Sequence, residues 1–359
     1  MNPSTLLFGA LFLAGFPIQN PEKLSDLYAG AIRKLNEDHA RKPVSVREED
    51  LREELPAPAR KALEDLLGLD ASPKVGEALH ACGEAALDLD RVEDFDRVRE
   101  RLGAFDPEAA KAQGVALSRP RFLLRGLGGL DAAYLETFAA LMDAVLDAYG
   151  EVFGFEEWSK VPGKKLRVRI HLEKSIERPP HFAPQFPFHS EIDFPVVDAS
   201  ALRSPTADGK FLFYGLCHEL GHVIAMWGDR NREEDRHAWA HYTGVTIVEH
   251  LAGSEKARPL LEGIRDVRWR SLSKERERLA GEGKKPSPVD RDGVLAALLA
   301  LHDAVGPRAI GGAMNDLDRS GRHQRVNHVR YYAFRDLRRA LEKSVKDAKA
   351  RKVVGEVLP

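Results

Sequence analysis

Cysteine is nearly absent. The 359-residue chain has two, Cys82 and Cys217, far apart and outside any Cys-x-x-Cys pattern, so neither a disulfide framework nor a cysteine-based zinc site is open to it. Cys217, directly before His218, reads best as a small buried apolar side chain. An excess of either charge is also missing: 54 Lys and Arg stand against 56 Asp and Glu, so no net field recommends nucleic acid or an anionic membrane as partner. The basic stretches Arg265–Lys285 and Arg335–Lys352 are interleaved with acids at helical spacing, as solvated helix faces are. No apolar run is long enough for a stable membrane span, and there is no internal repeat or low-complexity tract. What remains is ordinary globular composition, 43% hydrophobic and 31% charged, with length for one large domain or two smaller ones.

The first 21 residues carry no charged side chain, and Leu6–Phe16 is an apolar run of signal-peptide length. Residues 1–20 are therefore expected to be a signal peptide that exports the chain to the periplasm or beyond; a cytoplasmic protein with a buried N-terminal helix is the alternative. Residues 21–120 read as a helical N-terminal region, highly charged, with breaks at Pro43, Pro56-Ala57-Pro58 and Ser72-Pro73. Residues 121–359 are expected to form the domain that carries the chemistry.

Within that domain Asp131–Phe153 predicts one long helix, since Leu135, Phe138, Leu141, Met142, Val145 and Tyr149 recur at three- and four-residue steps and Gly154 stops it. Leu166–Leu172 alternates apolar and polar as a half-buried strand does. Phe194–Val197 is short and contains Pro195, which suits an edge strand. Helices are predicted over Lys210–Trp227, Glu234–Ala252, Arg258–Leu279, Val294–Val305 and Asn327–Lys349, separated late in the chain by Gly281–Pro288 and by Gly306-Pro307 with Gly311-Gly312. The expected fold class is α+β, mostly helical, with a small sheet and its edge strand packed on two helices.

The chemistry concentrates in His218-Glu219-Leu220-Gly221-His222. Residues four apart on a helix face the same way, so His218 and His222 can each point a nitrogen at one metal ion. Glu219 falls beside them, in the place of a general base that accepts a proton from a metal-activated water and hands it to the leaving amine. Phe211, Phe213, Leu216, Leu220, Ile224 and Trp227 mark the segment as apolar, and burying two histidines and a glutamate there costs several kcal/mol unless a metal takes up their polarity. Gly221 costs about 1 kcal/mol relative to Ala within a helix, which points to the close approach of another element at that turn.

A catalytic zinc needs a third protein ligand and an open position. The continuation His-x-x-Gly-x-x-His is absent, since Ala225 and Gly228 stand where its Gly and His would be. On the next helix Ala238, Gly244, Val245, Val248, Leu251 and Ala252 define a face that also contains Glu234, His237 and His241, while Asp235 points away from it. The residues alone leave those three open. Arg322–Tyr332 concentrates hydrogen-bond donors, and Tyr331, or His328, is the candidate for stabilising the oxyanion that forms when water attacks a carbonyl.

His237-Ala238-Trp239-Ala240-His241-Tyr242 resembles the Glu-Gly-aromatic-Ala-x-Tyr segment of the gluzincin metallopeptidases, which follows their His-Glu-x-x-His helix. The resemblance covers roughly Asp131–Ala252, where the order long helix, strand, edge strand, motif helix is also that of the gluzincin core. It implies a peptidase with one zinc ion per chain, Glu219 as general base, and a peptide or protein substrate that pairs with the edge strand beside residues 189–193. It further implies that His237 replaces the family's glutamate as third ligand, that His241 occupies the position from which an acidic residue supports a metal-bound His, and that Tyr242 packs. Two rival readings use the same residues. Glu219/His222 and Glu234/His237 form two Glu-x-x-His units, the pattern of di-iron carboxylate bundles; and a three-histidine site also suits a non-catalytic zinc protein.

Overall fold

In the computed structural model the N-terminal helices begin where proline and serine break the sequence. The structure describes residues 20–41, 55–155, 165–173, 181–184, 190–196, 212–224, 226–227, 233–261, 271–322, 324–326 and 329–358. The expected signal peptide, up to residue 19, and Pro43 lie outside them. The chain divides into two units, one of residues 1–38 with 52–113 and one of residues 39–51 with 114–359.

The first unit is helical: α1 (Pro21–Arg41), α2 (Ala57–Leu67), α3 (Pro73–Asp88), α4 (Val92–Gly103) and α5 (Pro107–Gln113). Pro58 lies in the first turn of α2, and Ser72 caps α3 by accepting from the Val75 amide at 3.3 Å. Leu24, Tyr28, Ala31, Ile32 and Leu35 form the buried stripe of α1. The Tyr28 hydroxyl, inside that stripe, donates to Asp94 at 2.8 Å, and Arg91 holds the same carboxylate at 2.5 Å, so the one buried carboxylate ties α1 to α4.

The second unit starts with strands rather than with the long helix. β1 (Val115–Ser118) pairs antiparallel with β2 (Phe122–Leu127), so the boundary expected at residue 120 falls instead at Gly114. Four- and six-residue strands separated by a short Arg-Pro-containing turn leave too little periodicity to be read from sequence. α6 (Ala132–Phe153) follows as predicted. Asp131 caps it by accepting from the Tyr134 amide at 2.8 Å, and Gly154 ends it at φ 68°, a left-handed conformation that glycine adopts without steric cost.

β3 (Leu166–Leu172), β4 (His181–Pro184) and β5 (Ser190–Val196) complete a five-stranded mixed sheet of order β1-β2-β3-β5-β4. The edge strand is thus β4, antiparallel to β5. Its last partner is Asp193, so Phe194–Val196 runs past its end and Pro195 needs no donor on that side. One face of the sheet is apolar: Val168, Ile170, Ile192 and Phe194 are buried, and Phe138 of α6 meets Phe194 edge-on at 5.2 Å. The other face is ionic. Arg169 reaches Glu191 at 2.5 Å and Asp193 at 3.0 Å, and His171 lies 3.2 Å from Asp193.

The motif helix α7 (Leu212–Ile224) ends short of the predicted Trp227, because Met226–Trp227 forms β6, which pairs parallel with β8 (Val329–Tyr332); β7 (Gln324–Val326) pairs with β8 antiparallel. The helix predicted from Asn327 is therefore replaced by a hairpin, rich in Val and Tyr as strands are, before α13 (Phe334–Ser344) and α14 (Ala348–Val357). α8 (Glu233–Gly253) matches its prediction and packs along α7. α9 (Arg258–Leu261) and α10 (Leu272–Gly281) stand where one helix was predicted, the residues between them lying outside those described. α11 (Arg291–Val305) is followed directly by α12 (Pro307–Arg319). Gly311, expected to separate helices, instead lies within α12, where a Cβ would collide with the Phe153 carbonyl at the end of α6. Among the described residues no single helix is long and apolar enough to cross a membrane.

Two glycines set the spacing of α7 and α8. A Cβ at Gly221 would collide with Thr243 Oγ1 and lie 3.0 Å from the Ala240 backbone; one at Gly244 would lie 3.1 Å from the His218 nitrogen and 3.2 Å from its Cα. Gly221→Ala and Gly244→Ala are each expected to cost about 1–3 kcal/mol by overpacking, despite the better helix propensity of Ala. Denaturant unfolding monitored by circular dichroism checks this, and a stability equal to or above wild type for both would refute the close approach.

Candidate metal centre

α7 is fixed just ahead of its first histidine. The buried Tyr149 of α6 donates its hydroxyl to the Cys217 carbonyl at 2.6 Å, and Gly244 of α8 lies against the His218 backbone from the other side. Cys217 itself is fully buried in the apolar core. With α7 held this way, His218 and His222 project toward the first turns of α8, where His237 meets them.

The three imidazoles form a cluster. Ring centroids are 4.9 Å apart for His218–His222, 4.9 Å for His222–His237 and 5.7 Å for His218–His237, and one ligand atom from each falls within 4.8 Å of the others. That arrangement can hold a metal ion. His218 is 9% exposed and His237 is partly exposed, so the cluster is not sealed from solvent. Burial, helped by the neighbouring imidazoles, pushes the His218 pKa well below its ordinary value, and burial with His237 and Arg236 lowers that of His222 to about 3. Both rings are therefore neutral at physiological pH, the form in which imidazole donates a lone pair to a metal. Glu219, between them on α7, is buried as well.

No family model matches the chain, and neither does any curated protein.

The other expected site residues divide clearly. Glu234 is exposed, so the second Glu-x-x-His unit of a di-iron site is not drawn inward with His237. Asp235, expected to point away from the buried face, is fully buried, three residues before the stretch Ala238–Val248 over which α8 is enclosed all round. His241 does not join the triad. Its Nδ1 hydrogen-bonds the Tyr214 hydroxyl, and its Nε2 lies 3.2 Å from the Glu275 carboxylate of α10. Tyr214 in turn lies 3.2 Å from His218 Nδ1.

Tyr242 packs among Phe153 and Trp239 and bonds His302 at 3.0 Å. The backbone of Tyr331 pairs with Met226, just beyond α7, while its side chain and His328 lie outside the described residues. Of the segment expected to border a cleft, Glu191 and Asp193 face Arg169 and His171 on the ionic side of the sheet. Sequence reasoning missed Tyr214 and Glu275. Tyr214 is one helical turn before His218 on the same face and was open to detection by that spacing; Glu275 has no local signal.

A histidine kept neutral by the fold but free to take a proton when unfolded makes stability depend on pH in one direction. Between an unfolded pKa of 6.5 and the folded value of about 3 for His222, the unfolded chain binds the extra proton, so stability is full above 6.5 and falls as the pH drops through that window. The slope is on the order of 1 kcal/mol per pH unit for each such group. Chelator-treated protein is expected to lose melting temperature steadily from pH 6.5 to pH 4, and His222→Gln to lose less over the same range. Parallel pH profiles for the two would show that His222 is not held neutral.

Proposed function

We propose that the chain is a zinc-dependent peptidase whose centre is His218, His222 and His237, with Glu219 as its acid–base residue. The observation that carries this reading is the convergence of three imidazole donors within 4.8 Å of one another, with a buried glutamate inside the same helical turn as two of them. The donor set fits the ion: three imidazole nitrogen ligands leave a fourth position of a tetrahedral zinc for water or substrate. Zinc bound there supplies a Lewis acid. The resemblance of His237–Tyr242 to the gluzincin segment supports peptide hydrolysis over other zinc chemistry.

The chain's own groups supply the rest. The Glu219 carboxylate accepts a proton from the attacking water and delivers it to the nitrogen of the leaving amine. β4, among the described residues an edge of the five-stranded sheet, packs against α7 and is the proposed strand to which an extended peptide adds. Tyr331, on the strand paired beside β6, is the proposed oxyanion donor.

Metal analysis of the purified chain is expected to find one zinc, and Glu219→Gln to keep it while losing peptide cleavage by about 10²–10⁴-fold, the usual weight of a general base. His237→Ala is expected to lose the metal, and Glu234→Ala to keep it. Two irons per chain would sink the reading. Wild-type protein that holds zinc but cleaves no member of a peptide library would leave a non-catalytic zinc protein.

A further inference from the structure

Behind His218 stands a chain of polar groups that the motif does not announce. His218 Nδ1 lies 3.2 Å from the Tyr214 hydroxyl, that hydroxyl also bonds His241 Nδ1, and His241 Nε2 lies 3.2 Å from Glu275. Tyr214, His241 and Glu275 are all buried, so water does not compete for these contacts. Glu275 is itself anchored: Arg278 holds it at 3.1 Å and is held in turn by Asp292 of α11 at 2.9 Å. Burial would raise the Glu275 carboxyl, but its bonds to His241 and Arg278 outweigh that and hold it near 2, which keeps it ionised.

With His241 neutral, the direction of the two hydrogen bonds to Tyr214 follows from that end. The ionised Glu275 carboxylate, 3.2 Å away, favours the tautomer of a neutral His241 whose hydrogen sits on Nε2, the nitrogen nearest the negative charge. A neutral imidazole with its proton on Nε2 has a bare Nδ1, which accepts from the Tyr214 hydroxyl. The Tyr214 oxygen, having given its hydrogen away, accepts from His218 Nδ1–H. His218 is left with a bare Nε2, the atom that remains to face His222 and His237. The reverse direction would put the hydrogen of His218 on Nε2, inside the cluster.

We propose that Tyr214, His241 and Glu275 form a positioning relay that locks His218 in its Nδ1–H tautomer and so presents the Nε2 lone pair to the metal. The relay rests on the reading of the triad as a metal site, but it does not require peptidase activity. It also accounts for the place of His241: the residue on the ligand face of α8 that does not ligate passes the charge of Glu275 toward one that does. Supporting groups of this kind raise ligand basicity and fix ring orientation, and their loss weakens metal binding by about 10–100-fold.

Two readouts test it. In metal-free wild-type protein with ¹⁵N-labelled histidine, the His218 resonances are expected to show a protonated Nδ1 and a bare Nε2; in Tyr214→Phe and in Glu275→Gln the two tautomers should mix. Zinc titration of the same proteins is expected to give affinities about 10–100-fold weaker than wild type. Glu275→Gln, at the far end of the chain, keeps the experiment decisive if Tyr214→Phe does not fold. A wild-type His218 protonated on Nε2 would overturn the relay, as would variants that lose stability while tautomer and zinc affinity stay unchanged. If wild-type protein binds no zinc, the metal-site reading fails, while the tautomer measurement still decides whether the polar chain runs in the stated direction.

Discussion

The second unit depends on two helices approaching more closely than ordinary side chains allow. Gly221 lets α7 settle onto Ala240 and Thr243 of α8, and Gly244 lets α8 settle onto the backbone of His218. Helix pairs pack by fitting ridges into grooves, and a missing side chain at each of two facing positions deepens the groove on both sides. That depth puts histidines from different helices within reach of one ion. The same approach buries Glu219 and brings His241 to Tyr214. The histidine cluster, the burial of Glu219 and the Tyr214–His241 bond are consequences of one contact.

Around that contact the rest of the unit acts as a frame. α6 reaches α7 through the Tyr149 hydroxyl on the Cys217 carbonyl and also packs on the apolar face of the sheet through Phe138 and Phe194. The sheet therefore shares a support with the motif helix, and its edge strand β4 lies against that helix as well. α10 and α11 serve the opposite side, carrying Glu275, Arg278 and Asp292 as successive links of one ionic chain. Placing such groups on helices, with their rotamers held by neighbours, is what keeps a cluster of side chains in one geometry.

Strongly periodic or well-punctuated segments were legible in the sequence. α6, with its apolar steps, Asp131 cap and terminal glycine, and β3, with strict alternation, were read to within a residue of their observed bounds. The mostly helical α+β class followed from them. Short strands were not legible: β1, β2 and the β7–β8 hairpin have too few residues to establish a period, and their pairing is decided by distant partners. At the site, spacing alone brought His218 and His222 together. For the second helix it failed, because α8 is enclosed on every side; a face defined from apolar residues could not separate His237 from His241 or Glu234, nor foresee the burial of Asp235. Three-dimensional packing made those distinctions, and it alone supplied Glu275.

The enclosure of α8 has a mechanical consequence. From Ala238 to Val248 the helix is buried on all sides, and His237 stands one residue outside that stretch, between it and the buried Asp235. A beam held on either side of a point bends little there. The third ring of the cluster thus sits between two buried points of the helix, and Glu234 beyond them is exposed. A cluster built this way tolerates change at Glu234 far better than any change in the middle of α8, even at positions that never touch the three rings.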